Sequence, residues 1–236
     1  MAKGVMVTAD EVYYRHRMGK LISLSLIMLL LFLILVYIVL RVIYNGGNFT
    51  VTLDSDKTLK SGINIYESIY DPTGKSKLYA ENLAFMDNIS GKWIPSNIND
   101  VAEGSHNGDN YIAYTFYVEN KGDETLNYWY KIIVDDVVRN VDKAVRVKVY
   151  ENDTATTYAR ANELSGDPET DTEPFRNDSD GTIVLKERTN FQPTDRDKFT
   201  VVVWIEGDDP DCIDAIIGGE IKMHMDITEE HIKNNE

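Results

Sequence analysis

The stretch from Tyr111 to Val138, YIAYTFYVENKGDETLNYWYKIIVDDVV, carries the pattern that decides the fold. Its first nine residues place Ile112, Tyr114, Phe116 and Val118 at every second position, which is the period of a β-strand. Residues 120–123 contain Asn and Gly, which tolerate the positive φ angles of tight turns. Extended structure resumes after this turn, so the stretch predicts two long strands.

The same alternation of apolar and polar residues recurs on both sides of this stretch. It predicts further strands at residues 48–54, 62–68, 145–150, 182–187, 198–206 and 220–227. In the strand at residues 145–150, one face is predicted to be buried while Arg146 and Lys148 point to solvent. Eight or more strands with little helical periodicity predict an all-β fold, an antiparallel β-sandwich of immunoglobulin-like or jelly-roll-like type.

Two polar stretches interrupt the strands. Residues 152–180 are rich in Asp, Asn, Pro and Gly, and we expect a long surface excursion with one short helix around Thr157–Leu164. Residues 90–110 are predicted to form a second loop region, with Trp93 and Ile94 packing back onto the core.

The N-terminal part of the chain has a different character. Residues 21–40, LISLSLIMLLLFLILVYIVL, contain no charged side chain, and a helix of this length spans the roughly 30 Å hydrocarbon core of a bilayer. A secretory signal peptide has a shorter apolar region of about 7–15 residues and a small-residue cleavage site. We therefore favour an uncleaved signal-anchor, with cleavage near residues 45–47 as the alternative.

The flanks of this segment predict its orientation. Residues 1–20 carry four Lys and Arg against two acidic residues, and the positive-inside rule keeps such a segment in the cytoplasm. The predicted organisation is a basic cytoplasmic tail (1–20), a transmembrane helix (21–44), an extracellular β-sandwich (45–228) and a polar C-terminal tail (229–236). The predicted location is the cell membrane, crossed once.

Composition excludes several classes of protein. The 236 residues contain 24 Lys and Arg against 39 Asp and Glu, a net charge of −15, which argues against a nucleic-acid partner. One cysteine rules out a disulfide-stapled scaffold and a Cys-rich zinc module. Residues 45–236 alone carry 19 basic and 37 acidic side chains.

Motifs of catalysis are missing from the sequence. It contains no H-E-x-x-H, no G-x-S-x-G and no glycine-rich phosphate loop, so we predict no catalytic residues and no organic cofactor. Cys212 follows clustered carboxylates, which raise a thiol pKa, and is therefore predicted to be a structural, partly buried thiol.

One acidic segment is a candidate metal site. Glu206, Asp208, Asp209 and Asp211 lie within six residues, shaped by a Gly and a Pro, and Ca²⁺ binds several oxygen ligands supplied by such loops. The spacing does not match an EF-hand. The alternative is a solvated acidic turn whose aspartates cap backbone N–H groups. Residues 177–180 form a second, lesser candidate.

Several segments resemble the TasA/camelysin family of exported bacterial surface and matrix proteins. They are the aromatic strand that runs into N-x-G (residues 115–122), the strand at residues 128–132, the turn Phe191–Asp195 and the segment Trp204–Cys212. The turn looks like the family's P-G-D turn, with Thr194 in the place of Gly. The resemblance implies an exported β-sandwich that assembles into surface or matrix structures.

These observations lead to three functional hypotheses. The first is a non-catalytic, membrane-anchored surface protein for envelope or matrix assembly or partner binding. Its partners would be other surface proteins or copies of itself, which could form a filament through exposed edge strands. The second is a camelysin-like metallopeptidase, suggested only by the resemblance. The third is an accessory subunit of an envelope complex, whose basic cytoplasmic tail is recognised by a partner protein.

Overall fold

The computed structural model describes residues 9–44, 48–54 and 62–231, in two units, residues 1–46 and 47–236. In the first unit, helix α1 spans Ala9–Tyr44, so it also includes much of the predicted tail. Its segment Arg17–Val39 has 23 residues with a mean hydropathy of 3.0 and exposed side chains. About 20 apolar residues suffice to cross a bilayer. An N-terminal apolar helix of membrane-spanning length is therefore confirmed.

The second unit is built from β-strands and short connections. Its described residues form twelve strands: β1 Phe49–Asp54, β2 Ile63–Tyr66, β3 Lys77–Tyr79, β4 Gly104–Ser105, β5 Ile112–Asn120, β6 Leu126–Val138, β7 Val145–Glu151, β8 Thr154–Ala159, β9 Glu173–Pro174, β10 Thr182–Phe191, β11 Arg196–Ile205 and β12 Glu220–His231. The predicted strands are confirmed within a few residues of their ends.

The strands form two sheets. Sheet 1 has the order β10-β6-β12-β1-β3, and sheet 2 has the order β2-β5-β11-β7-β8-β9, with β4 also paired to β5. The prediction of a purely antiparallel fold is wrong for two pairs, because β1 runs parallel to β12 and β8 runs parallel to β9. Alternation along a strand reports which face is buried and carries no information on the direction of the neighbouring strand.

Aromatic side chains fill the space between the two sheets. Tyr130 of sheet 1 meets Phe199 of sheet 2 edge-on, with ring centroids 5.1 Å apart, and Phe199 stacks on Phe116 at 5.4 Å. All three rings are buried. Contacts of this geometry add about 0.5–1.5 kcal/mol each beyond the area that they bury. The sheets therefore face each other as in a sandwich.

A second layer covers the outer face of sheet 2. Residues 81–111, the covering segment, place Ile89 and Ile98 in an apolar cluster with Val202 and Trp204 of sheet 2. As a result, all nine residues of β5 are buried. Ile94 packs against this cluster as predicted.

Two local predictions about the polar stretches are wrong. Trp93 is 73% exposed and does not pack back onto the core. The helix predicted around Thr157–Leu164 is also absent, because Thr154–Ala159 forms β8, paired along β7. The threonines of β8 are β-branched, and such side chains favour the strand surface over a helix.

Three buried tyrosines of sheet 2 donate hydrogen bonds to glutamates. The pairs are Tyr66–Glu119 at 2.6 Å, Tyr114–Glu67 at 2.7 Å and Tyr117–Glu103 at 2.9 Å. Burial, together with the bonded carboxylate, raises the pKa of Tyr117 to about 12. Burial pushes the pKa of each glutamate up, but the hydrogen bonds it accepts outweigh burial and hold the pKa below its ordinary value.

These glutamates make the fold sensitive to acid. A carboxyl group whose pKa is lower in the folded state stabilises the protein above its unfolded pKa, about 4.3 for Glu, and that stabilisation is lost as the pH falls. We expect the free energy of unfolding to decrease from about pH 5 downward. Tyr66→Phe should lower stability at pH 7 by about 1–2 kcal/mol and flatten this pH dependence. Urea titrations of the full chain in detergent at pH 3–7 measure both effects. If the free energy of unfolding of the variant fell with pH as steeply as that of the wild type, the role of the Tyr66–Glu119 hydrogen bond would be contradicted.

One turn residue is held in a strained conformation. Thr194, between β10 and β11, has φ of 73°, and its N–H donates to the Asn120 carbonyl at 2.8 Å. The left-handed region costs an L-residue about 1–2 kcal/mol, and a β-branched residue there is an outlier. Glycine adopts this φ without strain but has more entropy in the unfolded chain.

We therefore expect Thr194→Gly to raise the free energy of unfolding by about 1 kcal/mol. The matched control is Thr189→Gly, at an exposed position of β10 with ordinary φ, which should lower stability by about 0.5–1 kcal/mol. Urea unfolding of both variants gives the comparison. Equal destabilisation by the two substitutions would show that Thr194 is not strained.

Candidate functional site

The acidic segment predicted from the sequence is the loop that leaves β11. Glu206 begins it, with its N–H donating to the Ala144 carbonyl at 2.8 Å. Two tight turns follow, closed by backbone hydrogen bonds from Asp209 to Glu206 and from Cys212 to Asp209. These hydrogen bonds make the segment two consecutive tight turns, one of which buries Asp209 instead of leaving it in solvent.

The carboxylates of Glu206 and Asp208 face the covering segment. Glu206 Oε2 accepts hydrogen bonds from Trp204 Nε1 at 2.9 Å and from the Gly91 N–H at 3.0 Å. Asp208 Oδ2 lies 3.4 Å from the Ser90 hydroxyl and its side chain is exposed. Glu206 therefore attaches the covering segment to β11, and its oxygens are occupied by protein donors.

Asp209 faces the opposite way, toward a buried arginine. Its side chain is fully buried, and Arg146 Nη2 lies 2.5 Å from its Oδ2. Oδ2 accepts no hydrogen bond from any residue that the structure describes, so its contact with the guanidinium is an ion pair without a hydrogen bond. Asp209 Oδ1 accepts the N–H of Asp211 at 2.7 Å. A second carboxylate, Glu169, lies 3.7 Å from Arg146 Nη2.

The prediction that Arg146 points to solvent is wrong. Arg146 lies on the outer face of sheet 2, opposite Trp204 in the register of β7 and β11, and its side chain is 6% exposed. Alternation placed it on the correct face, but that face is covered by the loop from β11 and by Glu169. Lys148, two residues along the same face, is half-buried with its ammonium 5.1 Å from the Tyr150 ring centroid.

The two carboxylates beside Arg146 belong to a cluster of three. One ligand oxygen from each of Glu169, Asp209 and Asp211 lies within 4.8 Å of the others, a spacing at which carboxylates can share a cation. Glu169 comes from the polar loop, residues 160–181, about 40 residues before the acidic segment. The sequence contains no signal that would have assigned it to this cluster.

The four predicted calcium ligands are thus divided between two environments. Asp209 and Asp211 cluster with Glu169, whereas Glu206 and Asp208 face the covering segment. The Arg146 guanidinium already supplies positive charge to the buried carboxylate. The ion pairs of Arg146 link three chain segments: β7, the polar loop and the loop after β11. Calcium binding by Glu206, Asp208, Asp209 and Asp211 stays a prediction.

Other reactive side chains in the described residues have protein partners. Cys212 is partly buried against the core, as predicted, and its Sγ accepts a hydrogen bond from Asn88 Nδ2 at 3.3 Å. His224 lies between Asp135 and Asp226, with ring nitrogens 2.6 and 3.2 Å from their carboxylates.

Comparisons with known proteins assign no family. No protein-family model and no curated protein sequence matches the chain. Two crystal structures of a β-glucosidase from Kluyveromyces marxianus, one with glucose and one labelled with selenomethionine, are similar at 10% identity. Their TM-scores are 0.22 and 0.24, over 69% and 72% of this chain and 15% and 18% of those chains. The chain spans less than a fifth of that enzyme, and TM-scores this low do not indicate a shared fold.

Proposed function

We propose that this protein is a non-catalytic cell-surface protein that crosses the membrane once and displays an acidic β-sandwich outside the cell. The observation that carries the proposal is the 23-residue apolar segment of α1, which precedes a unit of two facing β-sheets. We further infer that the sandwich belongs to the immunoglobulin-like or jelly-roll-like group. The role of such a domain is envelope or matrix assembly, or the binding of a surface partner.

The charges around α1 support the proposed orientation. Arg15, Arg17 and Lys20 precede the uncharged run at residues 21–40, and Lys and Arg near a membrane helix favour the cytoplasmic side. Residues 45–236, which carry 19 basic and 37 acidic side chains, would then be exported. The strained φ of Thr194 supports the family resemblance, because the P-G-D turn that it resembles has glycine at this position.

Edge strands provide a route to assembly. The outer side of β10 is partly covered, because the Arg176 N–H donates to the Ile183 carbonyl and Asn177 forms a bridge with Thr182. Its remaining half carries Lys186, Glu187 and Arg188, and charged side chains oppose edge-to-edge pairing. By contrast, residues 154–157 of β8 contain only Thr and Ala and have no second paired strand in the described chain. We therefore propose β8 as the edge for self-association.

The anchoring proposal is tested on intact cells. Determination of the mature N-terminus and protease shaving of the surface should give a chain that begins at Met1 and loses its β unit to the protease. A cytoplasmic protein should stay intact as the control for lysis. A new N-terminus near residue 45, with protein in the medium, would show that the chain is cleaved and released, and would contradict anchoring. Protection of the β unit would overturn the orientation.

The assembly proposal is tested with a charge placed on each edge. Ala155→Lys should raise the dissociation constant for self-association of the detergent-solubilised chain at least tenfold, because a lysine on an edge strand opposes strand pairing. Thr189→Lys places the same charge on β10 and should leave association unchanged. Sedimentation velocity over a concentration series gives both values. Equal effects of the two variants would exclude β8 as the contact.

A further inference from the structure

The chain enters the second unit at one end of the sandwich. Three residues, 45–47, connect Tyr44, the last residue of α1, to Asn48, whose carbonyl accepts the Met223 N–H at 2.9 Å. An extended chain reaches at most about 3.6 Å per residue, so the path from Tyr44 to Asn48 spans no more than about 14 Å. The end of the sandwich at which β1 begins is therefore held on a short tether, and we call it the tethered end.

Strands β6 and β12 project beyond the start of β1 at the tethered end. Phe49 pairs in register with Met223, so residues 220–222 of β12 extend past β1. Three residues of strand correspond to about 10 Å. Glu220 pairs with Val138 at the end of β6, and the loop after β11, residues 206–219, leads into Glu220. Along sheet 1, this loop and the end of β6 are therefore the outermost features of the tethered end.

Two isoleucines of this loop face solvent. Ile213 is 58% exposed and Ile217 is 64% exposed, whereas Ile216 between them is buried in the core. The Ile216 N–H donates to the Ile213 carbonyl at 3.0 Å, and the Gly219 N–H donates to the Ile216 carbonyl at 2.8 Å. Arg139 Nη1 donates to the Ile217 carbonyl at 2.5 Å. These hydrogen bonds and the buried Ile216 hold the other two isoleucines away from the core.

Further exposed apolar side chains lie at the same end. Phe85 lies three residues after Asn82, whose Oδ1 accepts the N–H of Asn48 at 2.8 Å. Leu164 follows Glu163, which forms an ion pair with the turn that joins β6 to β7. Both Phe85 and Leu164 are exposed. Single exposed apolar side chains are common on proteins, but several from three loops at one end mark an interaction surface.

The tether selects the bilayer as the partner of this surface. The headgroup layer is roughly 5–8 Å thick on each side of a bilayer, which is less than the length of the tether. With α1 across the membrane, a soluble partner would have to enter between the tethered end and the lipid. Asp208 and Asp214 are exposed in the same loop and oppose an anionic surface, so the contact favours zwitterionic headgroups.

We propose that the tethered end rests on the bilayer, with Ile213 and Ile217 inserted at the boundary between headgroups and acyl chains. Their side chains leave water there as the apolar face of an interfacial helix does. This inference rests on the membrane anchoring proposed above. It makes the loop after β11 a second lipid contact of the protein, besides α1.

The test uses the full chain in phosphatidylcholine vesicles, with and without bromine on the acyl chains. Bromine quenches tryptophan fluorescence on contact. Ile217→Trp should lose more fluorescence in the brominated vesicles than the wild type, which has three tryptophans of its own. Thr189→Trp places the same ring at an exposed position of β10, at the opposite end of sheet 1, and should lose no more than the wild type. Equal losses by the two variants would overturn the proposal.

A third tryptophan separates this inference from the anchoring itself. Leu30→Trp places the ring within the apolar segment of α1 and should be strongly quenched when α1 crosses the bilayer. Quenching of Leu30→Trp without quenching of Ile217→Trp overturns the lipid contact and leaves the anchor. Absence of quenching in both overturns the anchoring. An Ile217→Trp emission that is unquenched, and moves to shorter wavelength as the protein concentration rises, would assign the loop to a second copy and overturn the proposal.

A charge placed in the loop tests whether the isoleucines carry the contact. Ile213→Asp, added to Ile217→Trp, should remove the additional quenching, because a carboxylate opposes insertion into the bilayer. Thr189→Asp, added to Ile217→Trp, should leave the quenching unchanged. Unchanged quenching with Ile213→Asp would overturn the proposal. If Ile217→Trp does not fold, Ile213→Trp with Ile217→Asp as its partner variant repeats the experiment.

Discussion

Replacing Arg146 by methionine is expected to lower the free energy of unfolding by about 3–5 kcal/mol. Asp209 is fully buried and its Oδ2 lies 2.5 Å from the guanidinium, so the substitution leaves a buried carboxylate without its counter-charge. Glu169, 3.7 Å from the same nitrogen, then adds repulsion. Urea unfolding of the full chain in detergent, followed by tryptophan fluorescence, measures the loss.

Lys148→Met is the matched control. Lys148 lies two residues along the same face of β7, and its loss removes only a half-exposed cation near the Tyr150 ring. It should cost less than about 1 kcal/mol. Adding Asp209→Asn to Arg146→Met removes the unpaired charge but keeps the acceptor for the Asp211 N–H. The double variant should recover about half of the loss. Equal effects of Arg146→Met and Lys148→Met would show that the Arg146–Asp209 pair stabilises the protein no more than a surface ion pair does.

Asp197→Ala is expected to lower the free energy of unfolding by about 3 kcal/mol. Asp197 of sheet 2 is 3% exposed and accepts a hydrogen bond from the Tyr128 hydroxyl of sheet 1 at 2.6 Å. It also accepts from Asn152 Nδ2 at 2.9 Å and from Arg188 Nε at 3.2 Å. The substitution therefore breaks a polar link across the sandwich and leaves a buried hydroxyl unpaired.

Two further variants locate the origin of this loss. Tyr128→Phe removes one of the three donors and should cost about 1.5–3 kcal/mol. Asp123→Ala removes an exposed carboxylate from the turn between β5 and β6 and should stay within about 0.5 kcal/mol of the wild type. If Asp123→Ala and Asp197→Ala had similar effects, net charge would account for the change. The link between the sheets would then contribute little.

Arg146 and Asp197 lie at opposite ends of the strands β7 and β11, Arg146 on the outer face of sheet 2 and Asp197 on the face toward sheet 1. Arg146 pairs in register with Trp204 near the end of β11, whereas Asp197 lies near its start. Each joins segments that are distant in the sequence through buried charge. Domain stability, and thus survival of the proposed surface domain outside the cell, is expected to depend on these two positions.

The sequence by itself determined the local features of this protein. The uncharged run within α1 and the period-two alternation in β5, β6 and β7 predicted elements whose ends agree with the structure within a few residues, apart from the helical extension into the N-terminal tail. These features are local because helix and strand periodicity come from the geometry of consecutive residues. The acidic turn after β11 was visible for the same reason, since its carboxylates lie within six residues.

Only the tertiary structure decided which surfaces are covered and which charges meet. The solvent-facing prediction for Arg146 is wrong because residues from two distant loops close over the outer face of sheet 2. Glu169 joins Asp209 and Asp211, and the parallel pairing of β1 with β12 brings the first and last strands together. Such contacts depend on which sequence-distant segments pack against one another. The alternation of residues within one strand contains no information on that packing.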